Sequence, residues 1–393
     1  MLNSFGFAAT PHIHFGVGMR STLVSIIQTY GSKVLLITGG QSFDGSKLCQ
    51  NLLSELEENF DVRREKVSSE PSPQMVDAWV QTYQGFSPDV VLAIGGGSAV
   101  DAAKAVAGLL PSGDSVMDYL EGVGKGKVFA NKTTPLIAVP TTAGTGGETS
   151  KNAVLSVIGE DGYKKSFRHE DLVAKHIILD PELTLTCSQE VTAACGMDAF
   201  TQLLESYVST KANPMTDALA WSALERIVTA LPAAYEDGSD IQARSDMLYA
   251  SSISGLTLAN AGLGVVHGLA SPLGAFFPIP HGVVCGSLLF EATRINIQAL
   301  KERDEHHPAL AKYAKVGRLF APEMFMDDED ALKMLLGMLE IWQQHLNMPK
   351  LSEFGVAETD LDKIIENISG GSYATNPVML THDELRALLQ ARL

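Results

Sequence analysis

DVVLAIGGGSAVDAAKAVA, residues 89–107, is the stretch on which the fold turns. The apolar run VVLAI is too short for a typical helix and reads as a strand buried on both faces. Gly95, Gly96, Gly97 and Ser98 follow at once, and AVDAAKAVAGLL then takes helical spacing. Strand, glycine turn and helix together make the repeating unit of a parallel sheet covered by helices. The glycines let the backbone approach an anion closely, and the first helical turn aims free N–H groups at it. The spacing is not GxGxxG, so the usual dinucleotide fingerprint is absent. A plain structural reading stands beside the functional one, with Ser98 as N-cap and Asp101 complementing the helix dipole.

Two more strand ends raise the weight of the nucleotide reading. PLIAVPTT (135–142) leads into PTTAGTGGETSKN (140–152), where Thr141, Thr142 and Thr145 bring hydroxyls suited to phosphate or ribose. KVLLITGG (33–40) ends in Gly39 and Gly40, with Ser42 just beyond. Open α/β sheets bind ligands at this carboxyl edge. A carboxylate at the end of the 33–40 strand would bond the adenosine ribose hydroxyls and repel a 2′-phosphate. None occurs there before Asp44, and glycine N–H groups with Ser42 suit a phosphate, so NADP is favoured and NAD stays possible.

The texture changes after DPELTL (180–185): EVTAACGMDAFTQLLESYVS and DALAWSALERIVTALPAAYE have helical spacing, and Thr381 and Glu384 are spaced as a capping box near the end. The expected architecture is a Rossmann-like α/β domain with a parallel sheet over 1–185, followed by an all-helical domain over 186–393. A length of 393 residues suits two domains, and 45% hydrophobic with 19% charged residues suits a soluble globular chain. A net charge of −17 with no basic stripe argues against nucleic acid or an anionic membrane as partner. The four cysteines have no CxxC spacing and read as reduced thiols. With no signal-like N-terminus and no apolar run of about 18 residues, a cytoplasmic protein is expected.

In VVHGLASPLGAFFPIPHG (265–282), His267 and His281 each precede a glycine in an apolar segment. Either alone reads as a core histidine bonded to a carbonyl. CGMDAFTQLLES (195–206), however, puts Asp198 and Gln202 on one helix face, and a carboxylate in so apolar a stretch needs a partner. One carboxylate, two imidazoles and an amide oxygen together suit Fe²⁺ or Zn²⁺. Phe276, Phe277 and Pro278 read equally as an apolar substrate wall or as core.

FGVGMRSTL (15–23), IGGGSAVDAAKAVA, PTTAGTGGETSKNAV, ILDPELT, GMDAFTQLLESY and the HG segment, in this order, resemble the iron-containing (group III) alcohol dehydrogenase family within the dehydroquinate synthase-like fold. The resemblance covers nearly the whole chain. It implies hydride transfer between a small or medium alcohol or aldehyde and NAD(P), with a metal polarising the oxygen. It also implies cofactor contacts from the loop Gly95–Ser98 with Asp101, from the threonine loop, and from Asn152, Lys164 and Leu183. Gly39 stands where NAD-preferring members often carry aspartate. Asp198, His267 and His281 fall on three of the four ligand positions. A homodimer through the N-terminal strand is implied too. Two departures stand out. Gln202 replaces the usual fourth histidine ligand, and Ser271 replaces a histidine implicated in proton transfer. They leave open a metal-free reductase of activated carbonyls, as in maleylacetate reductases, or a catalytically idle nucleotide-binding homologue. A dehydroquinate synthase-like lyase is disfavoured, because the segments around Asp198, His267 and His281 are nearly free of cations.

Overall fold

The computed structural model describes residues 4–368 and 370–393. Six strands form one parallel sheet: β1 (His12–Phe15), β2 (Lys33–Gly39), β3 (Asp61–Val67), β4 (Val90–Gly95), β5 (Leu136–Pro140) and β8 (His176–Leu179). Their order is β1-β8-β5-β4-β2-β3. Every residue of β4 is buried, as its unbroken apolar run requires. From β2 the chain winds outward to β3 on one side, and from β4 through β5 to β8 on the other. The winding therefore reverses between β2 and β4, and the crevice beyond their carboxyl ends is where such sheets bind ligands.

The expected α/β half followed by a helical half is what the structure shows; among the described residues no strand lies beyond Leu179. The longer helices of the first half are α1 (Lys47–Asn59), α2 (Pro73–Tyr83) and α3 (Gly97–Leu109). Those of the second are α4 (Gln189–Val208), α5 (Pro214–Glu236), α6 (Ile241–Ala261), α7 (Val265–Phe276), α8 (His281–Arg303), α9 (Pro308–Arg318), α10 (Asp328–His345) and α11 (His382–Gln390). At α11 the capping box forms, with Glu384 N–H donating to Thr381 Oγ1 at 3.3 Å and Thr381 N–H to Glu384 Oε2 at 2.6 Å. No single described helix is long and apolar enough to cross a membrane.

Two details differ from the sequence reading. Helix α3 begins at Gly97 with Gly96 at its cap, so Ser98 lies inside the first turn and caps nothing. An antiparallel hairpin, β6 (Asn152–Val157) with β7 (Tyr163–Arg168), stands apart from the main sheet. Within the N-terminal stretch, His12–Phe15 already pairs in parallel with β8 of the same chain, leaving its other edge outward.

The two halves meet backbone to backbone. Gly146, at φ 58°, sits in the left-handed region that glycine tolerates, and its carbonyl oxygen lies against Gly255 of α6. A Cβ at Gly255 would overlap both that oxygen and Thr149 Oγ1. Thr149 Oγ1 also reaches Ser252 O, at 3.1 Å, and a Cβ at Gly144 would come 2.9 Å from Cys195 Cβ on α4. Gly255→Ala must push this seam apart and is expected to lower stability by about 1–3 kcal/mol in equilibrium urea unfolding. Gly337→Ala on α10, where an added Cβ meets nothing within 4 Å, should instead be neutral or gain up to about 1 kcal/mol.

Candidate functional site

Three strand-end loops converge over the crevice. A Cβ at Gly95 would lie 2.8 Å from Gly39 N, so the ends of β2 and β4 touch through glycine alone. Cβ atoms at Gly96 and Gly97 would come 3.2 and 2.9 Å from Thr142 Oγ1 and Thr145 Oγ1. The structure thus brings Gly39, Gly95, Gly96, Gly97, Thr142 and Thr145 together. Ser98 lies in the first turn of α3, and Thr141 is tied by its N–H to Gly95 O at 3.0 Å. Gly40 precedes a short helix, Gln41–Gly45, that carries Ser42. Leu183 is buried in the 3₁₀ turn Pro181–Thr184 below the sheet edge and packs in the core cluster on the α1 side. Asn152 is turned away: its Oδ1 accepts from Arg168 Nε at 2.7 Å across the hairpin.

Beneath the glycine loop lies a buried ionic set. The Lys104 ammonium donates to Asn152 O at 2.7 Å and Ser150 Oγ at 3.1 Å, and stands 3.8 Å from Asp101. Burial pushes Asp101 up to about 7 against the pull of Lys104, and pushes Lys104 down. Lys164 leaves the hairpin to pair with Glu70 at 3.1 Å, lying alongside Gly274 of α7.

The second cluster is built from three helices of the other half. Asp198 and Gln202 are one turn apart on α4, as expected, and both are buried. The chain bends by 101° between α6 and α7, which brings His267 of α7 to face Asp198, with 3.2 Å between Nε2 and Oδ1. His281 begins α8, its Nε2 3.8 Å from the same oxygen. Two residues not anticipated from the sequence complete the group. Glu205, two turns beyond Asp198, accepts from the Val266 N–H and binds His267 Nδ1, each at 2.7 Å. Cys285, one turn after His281, stands 3.6 Å from His267 Nε2 and 3.8 Å from His281 Nε2. Donor atoms of Asp198, His267, His281 and Cys285 all lie within 4.8 Å of one another. The Gln202 amide nitrogen donates to Asp198 Oδ1 at 3.2 Å, and its oxygen accepts from Ser254 at 3.0 Å. Ser271 sits one turn beyond His267 on α7 and is half-buried. Phe276 and Phe277 pack on the buried cluster of α7, α8 and α11, as the core reading expects.

Burial alone would raise Asp198, but His281, His267 and Gln202 outweigh it and hold the carboxyl down to about 2. Burial pushes His281 down to about 4, against the pull of Asp198. Burial also opposes charge on His267, yet Cys285, Asp198 and Glu205 carry it well above its ordinary range. This donor set fits a divalent cation. The donors are carboxylate, imidazole and sulfur, and Glu205 orients His267 as carboxylates behind metal-bound histidines do. A positive ion would also offset two buried carboxylates that otherwise share one imidazole.

Comparison with known proteins agrees with this geometry. Residues 10–181 match the family described as "Iron-containing alcohol dehydrogenase", and residues 192–393 match "Fe-containing alcohol dehydrogenase family, C-terminal". The chain belongs to the iron-containing alcohol dehydrogenase family. It is 33% identical to alcohol dehydrogenase 4 of Saccharomyces cerevisiae over 98% of this chain and 97% of that one. The structure of a 1,3-propanediol oxidoreductase superposes with a TM-score of 0.89 at 28% identity, covering 100% of both chains. That of sulfoacetaldehyde reductase from Bifidobacterium kashiwanohense, in complex with NAD⁺, gives 0.84 at 27%, covering 99% of both. The protein is accordingly an oxidoreductase, a metal-dependent, NAD(P)-linked alcohol dehydrogenase.

The threonine loop carries a pH-dependent load. Glu148 is buried, its Oε1 has no hydrogen-bond partner, and burial pushes its carboxyl up to about 6. In the unfolded chain it ionises near 4.5, so unfolding releases a proton between those values and stability falls as pH rises through them. Glu148→Gln should match wild type in stability near pH 4. It should exceed wild type by roughly 2 kcal/mol above pH 7, read by urea unfolding across that range.

Proposed function

We propose that the chain transfers hydride reversibly between a small or medium alcohol or aldehyde and NADP(H), with residues 1–185 holding the nucleotide and 186–393 the metal and substrate. The observation that carries this reading is the meeting of three glycine and threonine loops beside one buried Asp–His–His cluster. Asp198, His267 and His281 are the donors to Fe²⁺ or Zn²⁺. When bound, the cation supplies Lewis acidity toward the substrate oxygen and the nicotinamide supplies the hydride acceptor or donor. The start of α3 and the glycines before it orient the pyrophosphate. Thr142 and Thr145 bring hydroxyls to the same loops, and Lys164 holds the cleft wall against α7. Glu205 fixes the tautomer of His267 by accepting its Nδ1 proton. Ser271, one turn from His267 and half-buried, passes the proton toward solvent in this reading. The exposed outer edge of β1, with Ile13 and Phe15 outward, supports a homodimer.

Preference for NADP is supported at the end of β2. Arg64 and Lys66 of β3 both reach Asp44, at 2.7 and 2.6 Å, beside Gly39 and Ser42. In the free protein both cations are held by Asp44, and a 2′-phosphate would draw them from that carboxylate, with Gly39 adding no second one. Lys66→Ala should weaken kcat/KM for NADPH by roughly ten- to a hundredfold, the worth of a charge-assisted hydrogen bond, while sparing NADH. Gly39→Asp, whose Cβ would meet only Ser42 Oγ at 3.7 Å, should shift preference toward NADH; equal loss with both coenzymes would refute the assignment.

Metal dependence is tested by elemental analysis of protein purified without chelators. One iron or zinc per chain is expected, removed together with activity by a chelator and restored by the ion. Asp198→Asn should cost at least about a hundredfold in kcat/KM at the ion concentration that saturates wild type.

A further inference from the structure

The family resemblance places Gln202 at the fourth metal-ligand position, yet both ends of its amide are engaged within the protein. Its nitrogen donates to Asp198 Oδ1 at 3.2 Å and its oxygen lies 3.0 Å from the Ser254 hydroxyl. Cys285, in contrast, is fully buried, free of any disulfide, and has the two candidate ligand histidines as its side-chain partners. His281 and Cys285 are four apart on α8, so they share one face of that helix and converge on the same point.

Four of the six donor–donor distances are close to the edges of a coordination tetrahedron, and the other two lie within 4.8 Å. A tetrahedron built on metal–nitrogen, –oxygen and –sulfur bonds of about 2.0–2.3 Å has edges of roughly 3.3–3.8 Å. The edge from Asp198 Oδ1 to His267 Nε2 is 3.2 Å, and that from Cys285 Sγ to His267 Nε2 is 3.6 Å. Those from His281 Nε2 to Asp198 Oδ1 and to Cys285 Sγ are both 3.8 Å.

Building on the reading of Asp198, His267 and His281 as ligands, we propose that Cys285 is the fourth protein ligand, bound as a thiolate, and that Gln202 holds Asp198 in place instead of binding the metal. On metal binding the Cys285 S–H bond breaks, its proton leaves to water, and the sulfur lone pair forms the metal–sulfur bond; no redox change occurs. Within the ligand set, carboxylate and thiolate match the two charges of a divalent ion, while Glu205 stands outside it, held by the Val266 N–H and His267 Nδ1. Such a mixed set with sulfur suits zinc better than it suits iron, because thiolate is a soft donor.

The test uses the full-length protein loaded with Zn²⁺ or Co²⁺ after chelation. Zinc K-edge absorption fine structure should show one sulfur at about 2.3 Å beside nitrogen and oxygen at about 2.0–2.1 Å. The Co²⁺ form should show near-ultraviolet thiolate-to-metal charge-transfer absorption. Cys285→Ser should lose both signals and weaken zinc binding by more than about tenfold, whereas Gln202→Leu should keep both. Because the sulfur signal is read on wild type, a variant that fails to fold does not remove the test. One zinc per chain with only nitrogen and oxygen neighbours would overturn the assignment of Cys285 while leaving the three-ligand reading intact. Retention of zinc by Cys285→Ser at wild-type affinity, or loss of the sulfur signal in Gln202→Leu, would overturn it as well. Failure of wild type to bind any divalent ion would overturn both readings together.

Discussion

The carbonyl of Gly146 resting on Gly255 is the contact that sets the geometry of everything above it. Neither residue tolerates a Cβ here, so the threonine loop lies on α6 with no side chain between the two backbones. The same loop presses Gly144 on Cys195, three residues before Asp198. Backbone is stiffer than any side-chain contact, since no rotamer change relaxes it. The offset between the glycine and threonine loops and the donor cluster is therefore fixed to the accuracy of a packed core. Hydride transfer needs this, because small displacements of reacting atoms cost large factors in rate.

The donor cluster is the second constraint. Asp198 and Glu205 are carboxylates buried in a helix that is itself buried on most faces. Among the described residues, their ion-pair partners are histidines alone. A carboxylate withdrawn from water without adequate positive charge is costly, and one imidazolium shared between two is weak compensation. Lys164 does not relieve the deficit, being paired with Glu70. The arrangement makes electrostatic sense around a divalent cation, with Glu205 behind His267 as orienting partner.

Much of this was legible beforehand. The buried strand and glycine turn at 90–97 were readable because β4 is apolar on both faces and glycine marks its end. Asp198 and His267 were readable because charge in an apolar stretch demands a partner. What escaped did so for physical reasons. Glu205, in LLESY, looks like the solvated face of a helix, and nothing local reveals that α4 has scarcely any such face. Cys285, in VVCGSLL, behaves as a small hydrophobe, and only its four-residue spacing from His281 could have flagged it. The hairpin was missed because YKKSFR alternates without burying a full face: five of its six residues are partly or well exposed. The alternative of Ser98 as a cap rested on a serine ahead of a helix usually being one, whereas here the helix starts a residue earlier.

That hairpin also ties the wall of the cleft to the first half of the chain. Gly159 N–H donates to Ala275 O at 3.0 Å, and Gly162 is packed so tightly on the same carbonyl that a Cβ there would overlap it. Helix α7 is thus gripped at its carboxyl end by the first half of the chain, and at its amino end by Glu205 through the Val266 N–H. His267 and Ser271 lie between these grips. Any hinge motion that separated the halves would break the contact at Ala275 and the seam at Gly146 together. The wall of the cleft that carries His267 is consequently tied to the sheet that carries the glycine loops. The separation of the glycine loops from the wall that carries His267 is held by backbone contacts at both ends, not by the rotamers of the side chains that face the cleft.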